Sequence, residues 1–133
     1  KDMFEWEVLP PLEHDSVSDE MECPQIYEIN GLWYLVFCTL GKFLSKDYAA
    51  RFKNKIPERS NFAMVSNNPL GPYKIYGTGQ IIIHPLDSYF YAAQLVPLRG
   101  AWYLLATIHD ENPDRISDPV RVYADEIGIH QEL

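Results

Sequence analysis

A pattern of twelve residues occurs twice in this chain. Residues 94–105 repeat residues 25–36 at a constant offset of 69 positions, with Gln, Gly, Trp, Tyr and Leu coinciding in register. In each copy a glycine turn separates two runs of apolar residues, which is typical of a β-hairpin. A repeat of about this length with several short strands predicts β-propeller blades, which are four-stranded sheets around a central channel. The alternative is two unrelated hairpins that share a common Gly-x-Trp-Tyr pattern.

The first copy turns at Asn30-Gly31, a dipeptide that tolerates the positive φ angles of a type I′ hairpin turn. This turn predicts strands over residues 23–29 and 32–38. Two more strands are predicted after the first hairpin, at residues 61–66 and 73–76, and two after the second, at residues 120–124 and 128–130. A short helical turn is expected within residues 46–55.

These elements predict an all-β fold, a partial β-propeller with about two four-stranded blades plus the outer strand of a preceding blade. We expect a single unit over residues 1–133, because no linker divides the chain. Its parts are the outer strand at 1–12, which includes the strand-like run at residues 6–9, the first blade at 22–77 and the second blade at 91–133.

Composition excludes several classes of function. The chain has 133 residues, of which 47% are apolar and 14% aromatic, enough for one core. Its 10 Pro and 7 Gly are too frequent for a helical bundle. The formal net charge of −8 repels phosphate backbones and anionic membrane surfaces, so neither nucleic acid nor a membrane is an expected partner. We expect a soluble protein, with the cytoplasm slightly favoured.

No cofactor and no metal site is predicted. The four histidines, at positions 14, 84, 109 and 130, are scattered without the short spacing of a zinc site. Residues 109–112 contain several oxygen ligands but lack the spaced pattern of a calcium loop.

A carboxylate, Glu22, directly precedes the first predicted strand. The start of a blade's innermost strand lies near the mouth of the propeller channel, where ligands collect. Partial burial there would raise the pKa of a carboxyl group, which suits a general acid in glycoside cleavage. Glu22 is therefore a candidate catalytic residue. The alternative, a solvated residue of the acidic loop 19–22, fits the spacing equally well.

Two segments in this order resemble the catalytic domain of glycoside hydrolase family 32, the five-bladed propeller of invertases, inulinases and levanases. They are the Glu-Cys-Pro motif at 22–24 before the hairpin, and residues 87–94, Asp-Ser-Tyr-Phe-Tyr-Ala-Ala-Gln, one blade later. The resemblance covers most of the chain and implies a partial five-bladed β-propeller. It implies that Glu22 is the acid/base of a retaining mechanism and that Asp87 and Tyr91 contact a fructoside-like sugar. The spacing at 88–90 departs from the family's Asp-x-x-Tyr-Ala pattern.

Retaining chemistry also requires a nucleophilic carboxylate about 5–5.5 Å from the acid. The resemblance places this nucleophile in a Trp-Met-Asn-Asp-Pro-type motif, and a second aspartate in an Arg-Asp-Pro motif, both on earlier blades. Neither motif occurs upstream of Glu22, and the Asp-Pro at 118–119 follows the acid/base blade. We therefore expect the C-terminal blades of a β-fructofuranosidase-type propeller, inactive alone. The missing blades or a second copy would be its protein partner.

Trp33 and Trp102 occupy equivalent positions of the repeat and are candidate groups in or near the sugar pocket. Their equivalence favours blade packing over sugar stacking. The alternative function is a non-catalytic module that binds carbohydrate or only itself. For either function, the apolar faces of two isolated blades favour a homodimer.

The two cysteines are predicted to face each other. In a two-residue hairpin centred on Asn30-Gly31, opposed residue numbers sum to 61, as those of Cys23 and Cys38 do. A disulfide between them is geometrically possible. Two packed thiols are favoured, because nothing in the sequence indicates an oxidising compartment.

Overall fold

Each copy of the repeat begins its own antiparallel sheet in the computed structural model, which describes residues 3–53, 55–82 and 89–132. The first sheet contains β1 (Glu22–Ile29), β2 (Leu32–Leu40) and β3 (Arg59–Ser66), in that order. A 3-10 helix (Gly41–Phe43) and the four-residue α1 (Lys46–Ala49) connect β2 to β3, which confirms the predicted helical turn.

The second sheet begins with the hairpin of β4 (Phe90–Leu98) and β5 (Ala101–Ile108). The two-residue β6 (Arg115–Ile116) pairs with β5. Beyond β5 the sheet continues with β7 (Val120–Asp125) and β8 (Gly128–Gln131). The path β4-β5-β7-β8 has the four strands expected of a propeller blade, and the bounds 91–133 of the second blade stay a prediction.

The hairpin turns of the two sheets have the same backbone. Asn30 and Gly31 have φ angles of 53° and 81°, and Arg99 and Gly100 have φ angles of 50° and 79°. Positive φ at both central residues is the signature of a type I′ turn. The repeat seen in the sequence is therefore also a repeat of conformation.

A β-bulge follows the first residue of β1 and recurs in β4. In β1, Glu22 pairs with Cys38 and Gln25 with Val36, so two residues lie opposite the single residue Phe37. In β4 the same irregularity lies between Tyr91 and Gln94. The first bulged residue has a positive φ in both strands, 50° at Cys23 and 51° at Ala92.

The bulge makes the predicted Cys23–Cys38 pairing wrong. It shifts the register by one residue, so that Cys38 lies opposite Glu22 instead. Both cysteines are free thiols, with Cys23 exposed and Cys38 buried. The favoured state of two thiols agrees with this, but only Cys38 is packed as predicted.

The fourth strand of the first blade is interrupted. The predicted strand at 73–76 is reduced to bridges, in which Val65 and Lys74 exchange two backbone hydrogen bonds of 2.9 Å. Five residues beyond Lys74, the carbonyl oxygen of Gly79 accepts a hydrogen bond from the amide of Ala63 at 2.9 Å. The outer edge of β3 is therefore paired at intervals along residues 74–81.

The outer strand predicted at residues 6–9 is not formed within the described part of the chain. Residues 5–12 have no regular secondary structure, and the first bridge in the described part of the chain is at His14. A strand needs a neighbouring backbone for its N–H and C=O groups, and Trp6 is 81% exposed. That residues 1–12 complete a preceding blade stays a prediction.

The main core, which we call the interblade core, lies between the two sheets. It joins side chains of both blades: Tyr34, Val36, Ala63 and Val65 from the first, and Leu95, Leu104, Ala106 and Val122 from the second. A second cluster fills the other face of the first sheet, where Val17 and Tyr48 pack over Phe37 and Phe62. The segment before β1 and the connection between β2 and β3 thus cover that face.

The second sheet keeps one face open. Alternation along a strand directs Val96, Leu98, Tyr103, Arg121 and Tyr123 away from the interblade core, and we call these residues the open face. Val96 is 36% exposed, Leu98 51% and Tyr123 50%.

Within the described residues, no helix is long and apolar enough to cross a membrane.

Candidate active site

Glu22 and Tyr91, two residues singled out in the sequence, meet at the seam between the blades. The phenol of Tyr91 donates a hydrogen bond to Oε2 of Glu22, across a separation of 69 residues. The two residues occupy the same position in the repeat, at the start of β1 and of β4, and each directly precedes the bulge. The bulges therefore bring together the side chains that precede them, which lie at the first position of β1 and the second position of β4.

The surroundings of Tyr91 keep its phenol protonated. Burial raises the pKa of Tyr91 well above its usual value, and the hydrogen bond to the Glu22 carboxylate raises it further because a phenolate there would face a negative charge. The ring of His109 lies against that of Tyr91, with 6.1 Å between their centroids. Nδ1 of His109 lies 2.9 Å from a carboxylate oxygen of Asp114.

Cys38 lies next to Glu22 and Tyr91 as a neutral thiol. Burial raises the pKa of Cys38 to about 12, and the nearby Cys23 adds to the effect. Its Sγ donates a weak hydrogen bond to the carbonyl oxygen of Glu22 at 3.5 Å. The thiol therefore packs against the backbone of the candidate acid without adding a charge.

Asn61 of β3 clamps the bulge that carries Tyr91. Its Nδ2 donates to the carbonyl oxygen of Phe90, and the amide of Ala93 donates to its Oδ1, both at 2.9 Å. Only 2% of Asn61 is exposed. Because the two contacts bracket Tyr91, they fix where its ring leaves the strand.

A second set of polar contacts joins β1 to β4. Nε2 of Gln25 donates to the carbonyl oxygens of Cys23 and Ala93, each at 3.1 Å. The phenol of Tyr27 donates to Oε1 of Gln25 and accepts from the amide of Leu95 at 3.1 Å. Asn61, Gln25 and Tyr27 were not identified from the sequence, although the recurrence of Gln25 at position 94 was an available signal.

The remaining candidate residues lie elsewhere. Glu22 itself is exposed, so the half-burial expected of it is absent in this chain. Trp33 pairs with Glu28 near the hairpin turn, about 20 Å along the strand from Glu22. Trp102 packs edge-on against Tyr27, with ring centroids 6.0 Å apart, at the margin of the interblade core. Asp87 falls outside the described residues.

Nothing among residues 3–53, 55–82 and 89–132 resembles a metal site, since no three His, Cys, Asp or Glu side chains are grouped as ligands. What the site does offer is a carboxylate with one oxygen held and one unbound. Oε2 of Glu22 accepts from Tyr91, whereas Oε1 forms no hydrogen bond within the part of the chain that the structure describes. A carboxyl group so oriented is able to exchange a proton with a bound molecule.

Comparison with solved structures identifies the fold as part of a levansucrase-type propeller. Bacillus subtilis levansucrase superposes with a TM-score of 0.63 at 20% identity, over 87% of this chain and 28% of that one. A B. megaterium levansucrase variant gives a TM-score of 0.62 at 21% identity, with the same coverage of 87% and 28%. A levansucrase variant complexed with sucrose gives 0.62 at 19% identity.

This chain therefore spans about 28% of the length of the levansucrases that it matches. At these identities the likeness shows the fold alone, a partial β-propeller of the kind found in levansucrases. It does not single out family 32, which the sequence motifs resembled. No family model matches the chain, and no curated protein matches it significantly.

Proposed function

We propose that this chain is the acid/base-bearing part of a propeller glycosidase that acts on sucrose or fructans. The hydrogen bond from Tyr91 to Glu22 carries the proposal, because it gives the carboxyl group a fixed orientation at the start of two innermost strands. The levansucrase variants complexed with sucrose and with oligosaccharides support a carbohydrate ligand.

In this proposal the free oxygen of Glu22 performs the proton transfers. Oε1 of the protonated acid donates to the glycosidic oxygen as the bond to the leaving group breaks, and the resulting carboxylate later accepts a proton from the attacking water. Tyr91 positions the group through Oε2. Asp87 and Tyr91 contact the sugar, as the sequence resemblance implies, while Trp33 and Trp102 pack within the blades.

These 133 residues are not proposed to supply the nucleophile. The sequence motifs expected to carry it do not precede Glu22, and the chain covers about 28% of the levansucrases. We therefore expect the chain to bind sugar but not to turn it over. The complete reaction requires a second carboxylate from protein outside this sequence.

Binding and turnover are measured separately to test this function. Titration of the isotope-labelled chain with sucrose or a levan oligosaccharide is expected to shift the backbone amide resonances of Cys23, Tyr91 and Ala92. The Glu22→Gln and Tyr91→Phe variants should weaken that binding at least about threefold, which corresponds to a hydrogen bond of about 0.7 kcal/mol. The matched control is Glu28→Gln, which removes an exposed carboxylate from the far end of the same strand.

Two results would overturn the proposal. Equal affinity of the wild-type chain and Glu22→Gln, read from the amides of Cys23, Tyr91 and Ala92, removes Glu22 from the sugar site. Hydrolysis of sucrose, inulin or levan by the 133-residue chain, lost in Glu22→Gln, would instead show that the site is complete without another carboxylate.

The second candidate function is a self-associating module, and the open face favours it. Loops cover the outer side of the first sheet, so the open face of the second sheet is where another copy can pack. Contact between two such identical faces gives a two-fold dimer. Light scattering should then report twice the chain mass of 15.4 kDa, and Val96→Lys should return it to the monomer value. A wild-type monomer would contradict this function.

A further inference from the structure

A groove runs along the interblade seam at the end opposite Glu22. It encloses about 510 Å³ between the end of β3 and the turn that joins β7 to β8. Small-ligand sites generally enclose about 300–1,000 Å³ and favour boundaries between packed units. Its lining includes the following residues: Leu32, Val65, Asn67, Tyr76, Glu126 and Ile127.

Both walls of this seam groove are held in place by hydrogen bonds. The phenol of Tyr34 donates to the carbonyl oxygen of Asp125 at 2.7 Å, which ties the β7–β8 turn to the first blade. Oδ1 of Asp125 accepts from the amides of Ile127 at 3.0 Å and Gly128 at 3.1 Å. On the opposite wall the amide of Asn68 donates to the hydroxyl of Ser66 at 3.0 Å. A ligand therefore meets a preformed surface.

Three polar side chains at the groove make no hydrogen bond within the described part of the chain: the amide of Asn67, the phenol of Tyr76 and the carboxylate of Glu126. Together they supply both donors and acceptors. The ring of Tyr76, 49% exposed, adds an apolar surface, as does the side chain of Ile127, also 49% exposed. An aromatic face beside hydroxyl-compatible donors and acceptors suits a ligand with C–H and O–H groups on alternate sides.

Charge argues against an anionic ligand. Lys74 is the cation among the described lining residues, and its ammonium group is paired with Asp15 at 2.9 Å, which compensates the positive charge that it would offer a phosphate or carboxylate. Glu126 and the net charge of −8 repel anions further. A neutral polyhydroxyl compound is the ligand class that meets these conditions.

A second, smaller cavity of about 230 Å³ adjoins the groove, and Tyr76 and Ile127 line both. The two cavities share these residues as a common wall. A linear chain of sugar units is able to pass over Tyr76 and Ile127 and occupy both sides. The lining therefore favours an oligosaccharide over a single sugar.

We infer that the seam groove is a second, non-catalytic carbohydrate site that binds a neutral oligosaccharide over Tyr76 and Ile127. The class of ligand follows from the lining of the groove. The choice of a fructan as its natural example rests on the proposed function. The site lies at the opposite end of the strands from Glu22, so its occupancy leaves the candidate active site open.

The test is a nuclear magnetic resonance titration of the 133-residue chain with a levan oligosaccharide, a maltooligosaccharide and, as an anionic probe, citrate. We expect a neutral oligosaccharide to shift the amides of Asn67, Ile127 and Gly128 saturably. Tyr76→Ala should weaken this binding about tenfold, a change equivalent to about 1.4 kcal/mol. Glu126→Gln, which keeps the size of the side chain, should weaken it about threefold or more.

Tyr123→Ala is the matched control for Tyr76→Ala, because Tyr123 is 50% exposed but belongs to the open face. Both Tyr123→Ala and Glu22→Gln should bind at the groove like the wild-type chain. Amide shifts confined to the region of Glu22 and Tyr91 would overturn the groove site and leave the proposed function standing. Shifts at the groove with none near Glu22 would support this site while contradicting that function. Equal binding by Tyr76→Ala, or tighter binding of citrate, would also overturn it.

Discussion

Glu22 and Tyr91 are equivalent residues of two successive repeats, and the phenol of one is hydrogen-bonded to the carboxylate of the other. The contact depends on backbone irregularities that the two strands share, because each residue directly precedes a bulge with a positive φ. The same position thus carries an acid in the first blade and its hydrogen-bond donor in the second. Five measurements on these blades test the structure.

Replacing Glu22 with Gln is expected to lower the pKa of the Tyr91 phenol. Burial and the Glu22 carboxylate both raise that pKa, and the substitution removes only the negative charge. The pKa should therefore fall yet stay above the usual value of about 10. Carbon-13 resonances of labelled tyrosine rings report the titration. Glu28→Gln should leave it unaltered, and an unaltered Tyr91 in Glu22→Gln would show that the pair does not form in solution.

Asn61→Ala should destabilise the fold through the bulge of β4. It leaves the buried carbonyl oxygen of Phe90 and amide of Ala93 without their 2.9 Å partners, at a cost of about 1–3 kcal/mol for each unpaired group. Urea denaturation measures the loss of unfolding free energy. Asn67→Ala, at an exposed asparagine, should change it by less than about 0.5 kcal/mol. Similar values for the two variants would contradict the clamp.

The two hairpin turns are expected to respond oppositely to an exchange of residues. Arg99 has a φ of 50° in the position where the first blade has Asn30. A left-handed backbone costs most residues about 1 kcal/mol, whereas Asn tolerates it. Arg99→Asn should therefore raise the unfolding free energy by about 0.5–1 kcal/mol, and Asn30→Arg should lower it by a similar amount. Changes of the same sign in thermal unfolding would refute the shared turn geometry.

The two thiols should differ in their rates of alkylation. Only the thiolate is nucleophilic, and burial raises the pKa of Cys38 to about 12, while Cys23 is exposed. At neutral pH iodoacetamide should label Cys23 first and Cys38 only after unfolding. Mass spectrometry of tryptic peptides reads the two sites separately. In Cys23→Ser the folded chain should stay unlabelled, and rapid labelling of Cys38 there would contradict the packing of β1 on β2.

Asp125→Asn should make the unfolding free energy depend less on pH in the acidic range. Burial alone would raise the pKa of Asp125, but hydrogen bonds from the amide of Ile127 and from His130 outweigh it and hold the pKa below its usual value. A lowered folded-state pKa adds stability above the unfolded value of about 3.9, and this stability is lost as the pH falls through the folded value. Thermal unfolding between about pH 2 and pH 6 should show a shallower slope in Asp125→Asn. An identical slope would exclude this role.

The sequence repeat predicted the hairpins and the two blades because their determinants are local. The dipeptide Asn30-Gly31 specifies its own turn, and alternating apolar residues specify which faces are buried. The outer strand predicted at residues 6–9 is not formed in the described part of the chain, because its determinants are not local. Its pairing depends on a neighbouring strand that the described residues do not supply.

The bulges could not be read from the same rules. Cys23 and Ala92 both adopt a positive φ that is uncommon for residues with a side chain, so neither looks like a bulge by composition. Pro24 was the one available sign, since a proline within a strand is confined to edges and bulges. Asn61 was missed because its two partners are backbone groups of a strand 29 and 32 residues away.

The recurring bulge gives the contact between blades a direction. The first blade contributes a carboxylate from the position before its bulge, and the second blade contributes a phenol from the same position before its own bulge. Tyr91 supplies the neighbour ahead of Glu22. Side chains of the two blades therefore meet at a place that the backbone sets. A substitution in one blade changes the chemistry at that place and leaves the architecture unaltered.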